Sequence, residues 1–197
     1  MVRVGLLATA TAFLLSGCIH CPRDEVGLAC CQHAGQETWL DIDTGSVPWR
    51  VTPPYSTVSM QAVVAPMGTG WTSSLLPALW IGPLTPPGAD PKAPGDYIYE
   101  FRFRVPQCPV AGATVITGSY AADNQATLYL DGGTTPLSSS TGAPGMGFTT
   151  ASVTTFTIAV PYSSSGAHTL RVVVHNNELY HGLVMRASVR NSCRPAA

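Results

Sequence analysis

The sequence predicts an all-β fold, a sandwich or jelly roll, and three observations carry that prediction. Tyr97 to Val105 alternates without a break: Tyr97, Tyr99, Phe101, Phe103 and Val105 fall on one face, Glu100, Arg102 and Arg104 on the other. A period of two is the signature of a half-buried strand. Ala113 to Gly133 reads as two strands meeting at a tight polar corner, Asp123-Asn124, the second running into the turn Asp131-Gly132-Gly133. Composition agrees: among 197 residues, 11% are charged, 19 are glycine and 17 are proline. That mix suits short strands and many turns and is poor material for long helices.

The length suits one domain plus a leader. A net charge of −1 gives no electrostatic reason to expect nucleic acid or an anionic membrane surface as partner.

The leader comes first. Met1-Val2-Arg3 is a basic start, followed by 12 apolar-run residues, Val4 to Leu15. A bilayer span needs about 20, so the run reads as a signal-peptide core. It ends in Leu15-Ser16-Gly17-Cys18, which resembles the lipobox of bacterial lipoproteins. The resemblance implies cleavage before Cys18 and joining of its thiol to a diacylglycerol, with acyl chains such as palmitate as the membrane anchor. Ile19 stands where inner-membrane retention often places Asp, so the expected address is the outer membrane of the bacterial envelope. The bland alternative is an ordinary secretory signal, with Cys18 in a disulfide. The expected segments are 1–17 leader, 18–38 tether, 39–193 sandwich and 194–197 tail.

The tether holds Cys21, Cys30, Cys31, His20 and His33 and lacks strand periodicity. With Cys18 lipidated, Cys108 and Cys193 complete a set of five, and export makes disulfides the default. Cys108 and Cys193 each follow a strand and suit a staple closing the domain. Cys21 suits a short loop with Cys30 or Cys31, and the odd count permits an intermolecular bridge. Zinc held by Cys21, Cys30, Cys31 and a histidine is the sharper reading, but no paired CxxC spacing supports it. Cys18-Ile-His-Cys21-Pro is no haem attachment site, because no histidine follows the second cysteine.

Within the domain, Trp39 to Gly45 alternates apolar and acidic residues. Asp41 and Asp43 are a weak candidate pair for structural calcium, set against two carboxylates that simply face water; no other metal or cofactor is expected. Pro48-Trp49 opens an irregular segment with a strand at Val58–Ala65. Gly68 to Pro94 is long, contains Trp71, Trp80 and the apolar run Leu75–Ile81, and reads as a functional loop or a structured excursion. The charged face of Tyr97–Val105 is expected in water or under the loop that carries Trp80. Pro136 to Gly147 reads as a loop. Ser152–Val160 alternates again, and Ser163 to Gly166 turns the chain. Ala167–His175 and Gly182–Arg190 form a last pair of strands, joined through Asn176, Asn177, Glu178, Leu179, Tyr180 and His181.

Tyr120-Ala-Ala-Asp-Asn124, Ala126-Thr-Leu-Tyr-Leu-Asp-Gly132, Leu170-Arg-Val-Val-Val-His-Asn176 and Gly182-Leu-Val-Met-Arg186 together resemble a galactose-binding-like jelly roll. Trp80-Ile81 followed by Tyr97–Val105 fits the same pattern, so the resemblance runs from about Trp39 to Cys193. Such modules occur in exported bacterial proteins and beside glycoside hydrolase domains. The fold hosts sugar binding, adhesion and scaffolding alike. No catalytic domain accompanies it, so an auxiliary role within the same chain is not expected.

Three groups are candidates for ligand binding. Asp123 and Asn124 can accept from and donate to sugar hydroxyls, or they can cap the corner through bonds to the backbone. Asn176, Asn177, Tyr180 and His181 lie at a strand end, where sandwiches carry binding loops, or form a polar turn. Trp71 and Trp80 offer flat faces for pyranose rings, or plug the side of the sandwich. No G-x-S-x-G elbow, H-E-x-x-H or phosphate-cradling glycine loop is present, so no catalysis is expected. The leading expectation is a non-catalytic, lipid-anchored envelope protein whose sandwich recognises a glycan or a surface partner. The rival is a structural subunit of a homo- or hetero-assembly in the envelope. A third reading, an enzyme accessory, requires a hydrolase encoded nearby.

Overall fold

The structure is a computed structural model that describes residues 25–29, 35–66, 70–84, 93–106, 113–140, 147–161, 166–177 and 180–192. Lipidation at Cys18 and the disulfide and zinc readings for Cys21, Cys30, Cys31, Cys108 and Cys193 all lie outside the described residues.

In chain order the strands are β1 (Glu25–Gly27), β2 (Glu37–Asp41), β3 (Arg50–Thr52), β4 (Met60–Val64), β5 (Ile81–Pro83) and β6 (Gly95–Arg104). They continue with β7 (Ala113–Asp123), β8 (Gln125–Leu130), β9 (Ser138–Ser139), β10 (Thr154–Val160), β11 (Ala167–Asn176) and β12 (Gly182–Ser192). A short 3-10 turn at Thr150–Ser152 is the one helical element among the described residues. The protein is an all-β sandwich. In its first sheet, β6 pairs with β11, β11 with β8 and β8 with β9, while β1 and β3 line the other side of β6. In the second, β10 pairs with β7, β7 with β12, and β2 and β5 both pair with β12. Strand β4 pairs with β3 on one side and β5 on the other, closing one flank.

Alternation builds the core. Tyr97, Tyr99, Phe101 and Phe103 of β6 are fully buried, with Leu170, Val172 and Val174 of β11 beside them. Ile116 and Tyr120 of β7, Phe156 and Ile158 of β10, and Leu183, Met185 and Val189 of β12 close over them from the second sheet. Trp49 lies within this core, its ring 5.5 Å from that of Phe101 and its indole N–H donating to the Ile42 carbonyl. The irregular segment expected at Trp49 is therefore an anchored one that leads directly into β3.

The sandwich begins before the expected boundary at Trp39. Glu25 to Gly27 runs parallel to Arg102–Arg104, and Leu28 is buried. Three-residue strands are too short for a period of two to show, which is why β1, β3 and β5 carry no pattern in the sequence.

Candidate functional site

The stretch from Gly70 to Trp80 folds over the outer face of the second sheet. Ala121 and Val184 point outward from β7 and β12, and Trp71, Leu75, Ala78 and Trp80 bury them in a second apolar cluster. The Trp71 and Trp80 rings lie 4.2 Å apart. Gly182, opposite Asp123 in the ladder, makes room for them: a Cβ there would stand 2.9 Å from Trp71 Cη2 and 3.1 Å from Trp80 Cε3. Both indole faces offered to a pyranose ring are therefore covered, with Trp71 at 7% and Trp80 at 4% exposure. These tryptophans plug the outside of the second sheet. The charged face of β6 belongs to the other sheet and does not lie under this loop.

The predicted corner does carry the chain between sheets, β7 ending in the second and β8 beginning in the first, through a cis peptide between Asp123 and Asn124. The Trp71 indole N–H donates to Asp123 Oδ2 at 2.9 Å, and Asn124 Nδ2 donates to Asp123 Oδ1 at 2.7 Å. Asn124 Oδ1 accepts from the Asn177 backbone N–H at 2.8 Å, and the Asn124 N–H donates to the His175 carbonyl at 3.1 Å. Four predicted residues, Trp71, Asp123, Asn124 and Asn177, thus meet in one hydrogen-bonded chain that ties the covering loop to the corner. Asp123 and Asn124 are buried, so their side chains brace the corner in this arrangement rather than reach toward solvent.

Burial pushes the Asp123 carboxyl up to about 6, and the Trp71 hydrogen bond works in the opposite sense. A folded-state value above the unfolded one means the native state holds the proton more tightly. The resulting stabilisation is fully present below about pH 4 and is lost as pH rises through 6. Allowing for solvent screening at the sandwich end, its size is about 1–2 kcal/mol. Urea unfolding of the protein and of Asp123→Asn at pH 4 and pH 7.5 is expected to show a fall of this size between the two pH values that the variant lacks. Equal falls in both proteins would contradict it.

The remaining predicted residues part company. Asn176 is fully buried and donates through Nδ2 to the Ala93 carbonyl at 3.2 Å. His181 is buried and stacks on Tyr97 with ring centroids 3.7 Å apart. Tyr180 is 58% exposed. Asp41 and Asp43 are not drawn into a metal cage: Asp43 Oδ1 accepts from the Ala187 N–H at 3.0 Å. Among the described residues no group of three or more His, Cys, Asp or Glu is placed to hold a metal ion. An apolar cavity of about 90 Å³ lies beside Val64, Leu76, Leu79 and Trp80, far below the roughly 300 Å³ from which small-molecule sites start.

The outer face of the first sheet is a different matter. Cross-strand register sets Arg50, Glu100, Arg171 and Tyr129 in one row across β3, β6, β11 and β8. The Arg171 guanidinium lies 4.6 Å from the Tyr129 ring centroid and donates through Nη2 to the Gly133 carbonyl at 3.2 Å. Thr52, Ile98, Val173 and Thr127 form the next row, and Asp96, His175 and Gln125 a third. His175 Nδ1 and Asp96 Oδ1 are 2.7 Å apart in a hydrogen bond open to water. Sequence reasoning missed this surface, although alternation had already set Glu100 and Arg102 outward. The face combines an aromatic ring, fixed donors and carboxylate acceptors on one plane, a set suited to hydroxyl-rich ligands.

Comparison with solved structures finds chains of low similarity. An FMN-binding β-glucuronidase from Facaelibacterium prausnitzii L2-6 is 15% identical over 78% of this chain and 22% of its own, with a TM-score of 0.43. A Ruminococcus gnavus β-glucuronidase is 10% identical over 81% of this chain and 29% of its own, with a TM-score of 0.47. TmCBM61 in complex with β-1,4-galactotriose is 10% identical over 78% of this chain and 88% of its own, with a TM-score of 0.34. The chain thus spans less than a third of the glucuronidase chains it resembles. No protein-family model and no curated protein sequence matches the chain.

Proposed function

We propose that this protein is a non-catalytic, lipid-anchored recognition module of the bacterial outer envelope, a galactose-binding-like sandwich that engages a glycan across the open face of its first sheet. One observation carries the reading. The two sheet faces are treated differently: the Trp71–Trp80 stretch covers the second, and the first presents the row Arg50, Glu100, Arg171 and Tyr129. Tyr129 supplies a ring for a sugar face, and Arg171 and Glu100 donate to and accept from its hydroxyls. The anchor rests on Leu15-Ser16-Gly17-Cys18.

The test is titration calorimetry of the full chain from its native envelope against a glycan panel. Its intact mass must first match cleavage before Cys18 plus acyl chains. Arg171→Ala and Tyr129→Ala are each expected to weaken the binding glycan about tenfold or more, with far-UV circular dichroism unchanged. No heat with any glycan, or binding indifferent to both variants, would sink the proposed face.

A further inference from the structure

Strand β8 ends in a tight turn. The Gly133 N–H donates to the Leu130 carbonyl at 2.9 Å, and the two residues between them, Asp131 and Gly132, have φ of 52° and 73°. That is a type I′ turn, which needs the left-handed region at both central positions. Glycine enters that region freely and aspartate tolerates it. Among the described residues Asp131 is the one non-glycine residue held at positive φ.

Its carboxylate holds it there. Asp131 Oδ2 lies 2.8 Å from His168 Nδ1, a bond in which the imidazole N–H donates, and Asp131 Oδ1 accepts from the Thr169 N–H at 2.9 Å. The Asp131 N–H in turn donates to the Thr169 carbonyl at 3.0 Å. His168 is buried, its ring stacked on Phe103 with centroids 5.4 Å apart. The turn is thereby fixed to the core at its first central residue.

What the turn aims is Arg171. In the row proposed for the glycan, Arg171 stands between Glu100 on β6 and Tyr129 on β8. Coulombic attraction draws a guanidinium toward a carboxylate, yet this one leans the other way, 4.6 Å from the Tyr129 ring centroid. Its Nη2 donates to the Gly133 carbonyl at 3.2 Å, and its buried Nε has no hydrogen-bond partner. Among the described residues the Gly133 carbonyl is thus the acceptor that sets the direction of the guanidinium. We infer that Asp131 and His168 are positioning residues for the glycan face: they hold the turn whose Gly133 carbonyl aims Arg171 over Tyr129. Both act through the backbone of 131–133 rather than by meeting a sugar. The inference rests on the glycan reading for its consequence, while the placement of Arg171 is measurable with no glycan present.

The experiment reads two quantities in the full chain and its variants: the NMR shift of the Arg171 Nε–H proton, moved upfield by the Tyr129 ring, and the affinity for the glycan that binds. Asp131→Gly leaves the turn its backbone freedom and removes the carboxylate. It is expected to return the Arg171 signal toward its unstructured position and to weaken the glycan about fivefold. His168→Leu fills similar space without the bond to Asp131 and is expected to act in the same direction. Asp131→Asn still tolerates the left-handed region and offers an acceptor to Thr169 and an amide to His168. It is expected to keep the shift and to hold affinity within about twofold of the parent. In an Arg171→Ala background, Asp131→Gly is expected to cost no further affinity, since both remove the same contact. A role confined to stability would lower the urea midpoint and leave the Arg171 shift in place, and that result would overturn the inference. So would an equal loss of affinity with and without Arg171. Loss of the shift in Asp131→Gly from a protein that binds no glycan would remove the glycan reading and leave the placement of Arg171 by this turn standing.

Discussion

Replacing Trp71 with alanine is expected to lower the unfolding free energy by about 3–5 kcal/mol. The side chain packs against the Trp80 ring and fills the space over Gly182. Its indole N–H is also the bond that joins the covering stretch to Asp123. Truncation opens a cavity between loop and sheet and takes a donor from a buried carboxylate, two penalties that act at the same place. Trp71→Phe separates them by keeping most of the ring while losing the N–H, and about half of the loss is expected to return. Urea denaturation measures both variants. Limited proteolysis supplies an independent readout, because a freed loop is cut first within 70–80. A loss under about 1 kcal/mol for Trp71→Ala, with no new cleavage, would mean that the stretch does not hold the second sheet's face closed.

Gly147→Ala is expected to cost about 3 kcal/mol, although the substitution adds one methyl group. Gly147 backs the corner: its N–H donates to the Asn124 carbonyl at 2.9 Å, and its own carbonyl accepts from the Ala122 N–H at 3.2 Å. A Cβ would run into the Asn124 and Ala122 carbonyl oxygens. Backbone lies on that side, so no rotamer change relieves the contact. The neighbouring Phe148 carbonyl accepts from the Thr72 N–H at 2.8 Å, so displacement of this segment reaches the tryptophan loop. Near-ultraviolet circular dichroism, to which the packed Trp71 and Trp80 pair contributes, is expected to change together with the urea midpoint. An unchanged spectrum and midpoint would show that the corner does not depend on Gly147.

Together these two variants bear on how the faces are assigned. Loop 70–80 is held by the Asp123 carboxylate, the gap over Gly182 and backbone bonds that tie Thr72 to Phe148, Leu79 to Thr44 and Trp80 to Ala65, and it makes the second sheet's outer face an interior. The first sheet has no comparable cover among the described residues. The Asp123 titration, the Trp71 packing and the Gly147 bridge test that arrangement without reference to any glycan.

The sequence by itself determined the fold class, most long strands and much of the core. Tyr97–Val105, Ser152–Val160 and Ala167–His175 show period-two alternation, which depends on neighbours within one strand and needs no partner to be legible. The Asp123-Asn124 corner was legible for the same local reason, since adjacent Asx residues between two strand-like runs mark a turn. The tertiary structure alone decided which sheet each strand joined and which candidate side chains turned inward. Trp71 and Asp123 are 52 positions apart along the chain, and no local pattern states that an indole N–H will seek that carboxylate. Arg50, Glu100, Tyr129 and Arg171 come from four strands, and only ladder register sets them in a row. Which candidate reaches solvent is decided by what covers it, and cover is a property of chain segments distant in sequence and adjacent in space.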